Sequence, residues 1–158
     1  MNRPLKALAI ATLALAGALG ATAVQASAAT FNVDFTVKNN DAAASMIRGT
    51  VPAPSTISNV ITPAAGISPG GADPASGFAV YSDTLPTVGA PKQVSFVYAN
   101  LNDGSSNACT FTLKVSKDTN ALPYLLHMTA TAPCSAPADV RTSDGQFTAQ
   151  TYILSWTT

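Results

Sequence analysis

Cys109-Thr110-Phe111-Thr112-Leu113-Lys114-Val115-Ser116 alternates apolar and polar side chains without a break. Successive side chains of a strand point to opposite faces, so this stretch reads as a strand with one buried face and one wet face. A second stretch with strand character, 122–132, leads to Cys134. The two cysteines predict one disulfide, Cys109–Cys134, in an oxidising compartment. Two buried free thiols or a metal site are the rival readings, but two cysteines with one distant histidine are too few ligands for a structural zinc. If the cysteines lie opposite each other in a hairpin, Phe111 faces Ala132, Leu113 faces Ala130 and Val115 faces Met128. All of these are apolar. A register shifted by one residue brings Thr131 and Thr129 to that face instead. The parity therefore predicts adjacent antiparallel strands with the bridge on the core side.

Similar alternation extends outward in both directions. Phe31, Val33, Phe35 and Val37 alternate with Asn32, Asp34, Thr36 and Lys38. Val94, Phe96 and Tyr98 share one face of a strand over 92–100, and Asn102-Asp103-Gly104 is a hairpin signal after it. Further strands are expected at 57–62, 77–82 and 147–157. In the last, Tyr152, Leu154 and Trp156 share the face expected to be core, opposite Phe147, Ala149, Thr151 and Ile153. Segment 42–48 reads as a short helix capped by Asp41 or as an irregular connection. Segment 63–76 is rich in Pro, Gly and Ala and reads as loop, the part of the chain expected to be least ordered.

Composition agrees with this pattern. The chain has no glutamate, and Thr, Ser, Asn, Asp, Gly and Pro are abundant. These residues favour strands, turns and caps over helix interiors. The expected fold is an all-β antiparallel β-sandwich, Greek-key, immunoglobulin-like or jelly-roll-like, with seven or eight short strands and one disulfide.

The N-terminus reads as an export signal. Arg3 and Lys6 precede an apolar run from Ala7 to about Val24, followed by Gln25, Ala26, Ser27 and Ala28. Basic, apolar, then small is the layout of a cleavable secretory signal peptide, here 1–28 with the cut after Ala28. Cuts after Ala26 or Ala29 fit almost as well. The run is mostly alanine, broken by Gly17 and Gly20, so it is a weak membrane span. No cysteine near the cut could carry a lipid anchor. Residues 29–158 then form one domain, secreted, periplasmic or at the cell surface.

Removing Arg3 and Lys6 leaves six of the eight basic residues against eight aspartates, a net charge of −2. No basic patch is available for nucleic acid. No basic amphipathic helix suits anionic lipid, and no later stretch is long and apolar enough to span a bilayer.

Few residues carry a chemical signature. Gly66-Ile67-Ser68-Pro69-Gly70 matches Gly-x-Ser-x-Gly formally, but the oxyanion hole of that motif uses the N–H after the serine, and Pro69 has none. His127, the only histidine, reads as a residue on the outer face of a strand. Asp139, Arg141 and Asp144 form one polar cluster, and Asn102, Asp103, Ser105 and Asn107 another. Calcium needs six or more oxygens, and neither cluster follows a calcium-loop spacing. Asp139 with Asp144 as a glycosidase pair is weaker still. Tyr81, Tyr98, Tyr124, Tyr152 and Trp156 could build a sugar or lipid surface, but buried aromatics are the simpler expectation. No catalytic or metal-ligating set is assigned, and no cofactor is expected.

Three functions follow as expectations. The first is an exported non-catalytic module binding a surface, glycan, lipid or protein through its loops. The second rests on the two ends. Phe31-Asn32-Val33-Asp34-Phe35-Thr36-Val37 follows the signal directly, and Gly145, fourteen residues from the C-terminus, leads the alternating strand Phe147 to Trp156. This outline resembles chaperone–usher pilin subunits and implies a self-assembling homo-oligomer or polymer that donates 30–38 to its neighbour. Thr157 stands where that outline has tyrosine, and both cysteines lie in the second half. The third is a secreted hydrolase using His127.

Overall fold

The structure is a computed structural model that describes residues 29–49, 56–60, 66–100, 108–121 and 123–156. The expected signal 1–28 and the hairpin and polar cluster at 102–107 lie outside the described residues. The described chain is all β: β1 (Thr30–Asn39), β2 (Met46–Arg48), β3 (Ile57–Ser58), β4 (Gly66–Ile67), β5 (Ala72–Asp73), β6 (Ala79–Thr84), β7 (Lys92–Asn100), β8 (Ala108–Ser116), β9 (Tyr124–Ala130), β10 (Val140–Thr142) and β11 (Gln146–Trp156). One sheet runs β11-β1-β6-β3, with β5 also paired to β1, and the other runs β10-β9-β8-β7-β2-β4. All pairs are antiparallel except β1 with β11. Phe35 of the first sheet stacks on Phe96 of the second, with ring centroids 5.3 Å apart. The two sheets thus form a sandwich around a shared aromatic core.

The β8 alternation holds at every position: Cys109, Phe111, Leu113 and Val115 are all buried. The disulfide Cys109–Cys134 is formed, with Cα atoms 6.0 Å apart. The register differs from expectation by one pleat. Phe111 faces Ala130, Leu113 faces Met128 and Val115 faces Leu126. Cys134 reaches Cys109 from a turn instead of a strand position: Thr131 N–H donates to the Thr110 carbonyl at 3.0 Å, and Cys134 N–H folds back to the Thr131 carbonyl at 2.9 Å. A two-residue shift keeps the same side chains inward, so the parity was right although the pairing was not.

β1 buries Phe31, Val33, Phe35 and Val37 and lies inside its own sheet, with β11 on one side and β6 then β5 on the other. Along β11 strict alternation fails. Val33 faces Phe147 and Phe35 faces Tyr152, so β11 spends extra residues over one pleat of β1. Such a bulge reverses the parity of the strand. Phe147, expected opposite Tyr152, Leu154 and Trp156, is therefore buried with them.

Five elements, β2 to β5 and β10, are too short for a period to show. Segment 42–48 is not a helix. Asp41 Oδ1 accepts from the N–H groups of Ala43 and Ala44 at 2.8 and 2.7 Å, as a helix cap would. The chain then leaves as β2 to pair with β7. One turn of helix fixes several residues for few bonds, and a ready sheet outcompetes it. The described part of 63–76 contains β4 and β5. Of the strand expected at 57–62, residues 61 and 62 lie outside the described residues, and the described part covers Ile57–Ser58 and stops at Asn59, whose φ is 65°. The strand expected at 77–82 begins later, at Ala79, after Gly77 with φ 72°.

Two outcomes are expected. Replacing both cysteines by serine lowers stability by about 3 kcal/mol, read as a lower urea midpoint. Asp34, buried on β1, has a carboxyl pKa raised by burial. Its folded pKa lies above the unfolded one, so the native state binds the proton more tightly. Stability falls as pH rises from the unfolded value through the folded one, and the cost is fully present at neutral pH. Asp34→Asn therefore raises the urea midpoint at pH 7, and the gain vanishes once the pH is below the unfolded value of about 3.9.

Candidate ligand groove

Among the described residues six polar side chains are buried: Asp34, Asn39, Asp41, Arg48, Asp73 and Asn100. Two of them form an ion pair across the sandwich. Arg48 Nη1 on β2 lies 3.1 Å from Asp73 Oδ2 on β5, with side chains 4% and 2% exposed. The Tyr98 hydroxyl on β7 donates to the same oxygen at 2.7 Å. β2 and β7 belong to one sheet and β5 to the other, so a single carboxylate oxygen ties the two together. Burial first, then the neighbouring Asp73 charge, hold the Tyr98 hydroxyl far above the usual phenol range. Arg48 Nε has no hydrogen-bond partner among the described residues.

Asn39 completes this end. Its Nδ2 donates to the carbonyls of Ala44 and Ile67 at 2.9 and 3.0 Å, and its Oδ1 accepts from Asp41 N–H at 3.0 Å. One fully buried amide thus satisfies backbone groups of two segments, the connection after β1 and the short β4, that have little sheet pairing of their own.

Asp73 ends β5, and the loop 74–78 starts at the next residue. Pro74 is buried, whereas Ala75, Ser76, Gly77 and Phe78 are exposed. The Thr36 hydroxyl donates to the Gly77 carbonyl at 3.2 Å and holds the far end of the loop. Opposite stand Asn59 and Val60, just past β3. The loop and this pair line a groove of about 580 Å³. Phe78, 41% exposed, is one of its walls. The described lining carries no charge. Val60, Pro74 and Phe78 offer apolar surface, and Asn59 and Ser76 offer hydrogen bonds. A neutral ligand with one apolar face matches that chemistry.

The residues singled out from the sequence lie elsewhere. His127 is exposed on β9, opposite Lys114, and its Nδ1 is 2.7 Å from Asp139 Oδ1. Asp144 accepts the Gln146 N–H at 2.9 Å and serves its own turn, and Arg141 stands exposed on β10. Among the described residues no three His, Cys, Asp or Glu side chains converge on one point. Gly66-Ile67 is β4, and Ser68-Pro69-Gly70-Gly71 is a β-turn closed by Gly71 N–H to the Ser68 carbonyl at 2.8 Å. Gly70, with φ 74°, takes the position where a Pro-Gly turn needs glycine. Tyr81, Tyr98, Tyr152 and Trp156 are core. No helix among the described residues is long and apolar enough to cross a membrane.

Sequence reading missed the Arg48–Asp73 pair and Phe78. An aspartate before proline in a Gly-rich stretch looks like a turn residue, and nothing local couples it to an arginine twenty-five residues earlier. Phe78 fell inside an expected strand. A scan against protein-family models, a search of curated proteins and a search of solved structures each found no match.

Arg48→Met leaves Asp73 buried without its cation. Its expected cost is about 3–5 kcal/mol, whereas Arg48→Met with Asp73→Leu recovers most of that loss, because an apolar pair needs no compensation. Urea unfolding of the single and double variants measures both.

Proposed function

We propose that the chain is an exported, non-catalytic β-sandwich module that binds a neutral glycan in the groove between Asn59–Val60 and loop 74–78. The observation that carries this reading is the exposed Phe78 on a loop tied down at its base by Asp73. An aromatic ring on a rigid loop can stack on a sugar face, with Asn59 and Ser76 positioned to meet hydroxyls. An uncharged lining favours a neutral sugar over an acidic one.

Export rests on the layout of 1–28, and the Cys109–Cys134 disulfide is compatible with an oxidising compartment. The closed-module reading is favoured over strand donation by the place of β1. Both of its sides are already paired, to β11 and to β6 with β5.

A glycan array probed with the wild-type chain and with Phe78→Ala tests the reading. The wild type retains a subset of neutral glycans, and Phe78→Ala weakens binding at least about tenfold, the loss of one stacked ring. Its thermal midpoint stays close to wild type, because Phe78 is not in the core. Undiminished binding by Phe78→Ala sinks the groove as the site.

A further inference from the structure

A second concavity, of about 380 Å³, lies where β8 of the second sheet ends, and it shares no residue with the groove of loop 74–78. The connection between β6 and β7 supplies Val88 and Pro91, and the end of β8 with the turn after it supplies Lys114, Ser116, Lys117 and Asp118. The first wall is built before any ligand arrives. Residues 87–90 form a β-turn closed by Ala90 N–H to the Thr87 carbonyl at 3.0 Å, and Gly89, with φ 78°, takes its left-handed position. The β7–β8 ladder reaches Lys92 and Val115, which brings Pro91 alongside Ser116. Val88 is thereby held 45% exposed.

The second wall carries uncompensated charge. Among the described residues the ion pairs are Arg48–Asp73, Lys92–Asp83 and His127–Asp139, and Lys114 and Lys117 belong to none of them. His127 is the β9 residue opposite Lys114, and the Asp139 carboxylate on that side is already held by its ring at 2.7 Å. The Lys117 ammonium stands 4.7 Å from the centroid of the Tyr124 ring and donates to its hydroxyl at 3.5 Å. An aromatic ring fixes a cation without neutralising it. Asp118 lines the same pocket but pairs with neither lysine. Two ammonium groups against one carboxylate leave a single positive charge in a lining whose remainder is neutral.

We propose that this pocket binds a small organic monoanion, a carboxylate whose head meets Lys114 and Lys117 and whose apolar body lies on Val88 and Pro91. One excess positive charge matches a monoanion better than a phosphate dianion, and the apolar wall rewards a body that an inorganic ion lacks. The volume is at the small end for a ligand site, so the ligand is a small molecule and not a polymer. The site differs in chemistry from the uncharged groove and does not depend on what that groove binds.

The test titrates the full chain, expressed with nitrogen-15 in an exporting host and purified, with benzoate and with hexanoate while amide shifts are recorded by NMR. Benzamide is the neutral counterpart of benzoate, and inorganic phosphate is the anion without an apolar body. Benzoate or hexanoate moves the amides of Val88, Gly89, Ser116 and Lys117 saturably, and benzamide and phosphate do not. Lys114→Gln with Lys117→Gln weakens that binding at least about fivefold, the loss of two exposed ion pairs. Lys38→Gln, at an exposed lysine elsewhere on the chain, leaves it unchanged. Added salt weakens wild-type binding, because the charges are exposed enough to be screened. No saturable shift with either carboxylate overturns the proposal. So do equal shifts with benzamide, equal shifts with phosphate (an adventitious ion only), or carboxylate binding indifferent to the double lysine variant.

Discussion

The parallel pairing of β1 with β11 joins the two ends of the described chain, and the rest of the sandwich is assembled around it. β1 brings Phe31, Val33, Phe35 and Val37 to the core, and β11 adds Phe147, Tyr152, Leu154 and Trp156 beside them. No turn can connect a parallel pair directly, so the strands between must fold back over themselves before these two meet. The pair therefore combines the largest loop closure in the molecule with much of its aromatic core. Contacts of that separation reward the chain only after most of the closure entropy has been lost, which makes folding cooperative and slow for its size. The Cys109–Cys134 bridge acts in the other half of the chain, where β8 and β9 already form a local hairpin.

The second organising contact is polar. A buried ion pair is a poor source of net stability, because desolvating both charges offsets most of their attraction. Arg48, Asp73 and Tyr98 do something an apolar cluster could not. Their geometry admits one arrangement of β5 relative to β2 and β7, and β5 has only two residues with which to hold its own register. The loop 74–78 inherits that fixed point at one end and the Thr36 bond to Gly77 at the other. Phe78 can thus remain exposed without the loop collapsing over it.

Legibility from sequence followed the range of the interaction. Alternation is a local property, so the long strands β1, β7, β8 and β9 and their buried faces could be read directly. The disulfide could be read too, since compartment and cysteine number do not depend on the path of the chain. What failed was register. Cys134 lies in a turn, so the ladder between β8 and β9 is displaced by one pleat, and the bulge of β11 turned Phe147 inward. Neither displacement changes composition or period, and neither leaves a mark on the residues around it. The short strands β2 to β5 and β10 are held by partners distant in sequence, with almost no periodicity of their own.

The alternating face of Cys109 to Ser116 and of Phe31 to Lys38, the all-β class and the single disulfide were thus determined by the sequence alone, because each rests on neighbours in the chain or on residue chemistry. The tertiary structure alone decided where Asp73 meets Arg48 and Tyr98, and which aromatic ring stays outside. Those outcomes depend on how strands from distant parts of the chain are ordered across two sheets, and no stretch of sequence carries that order within itself.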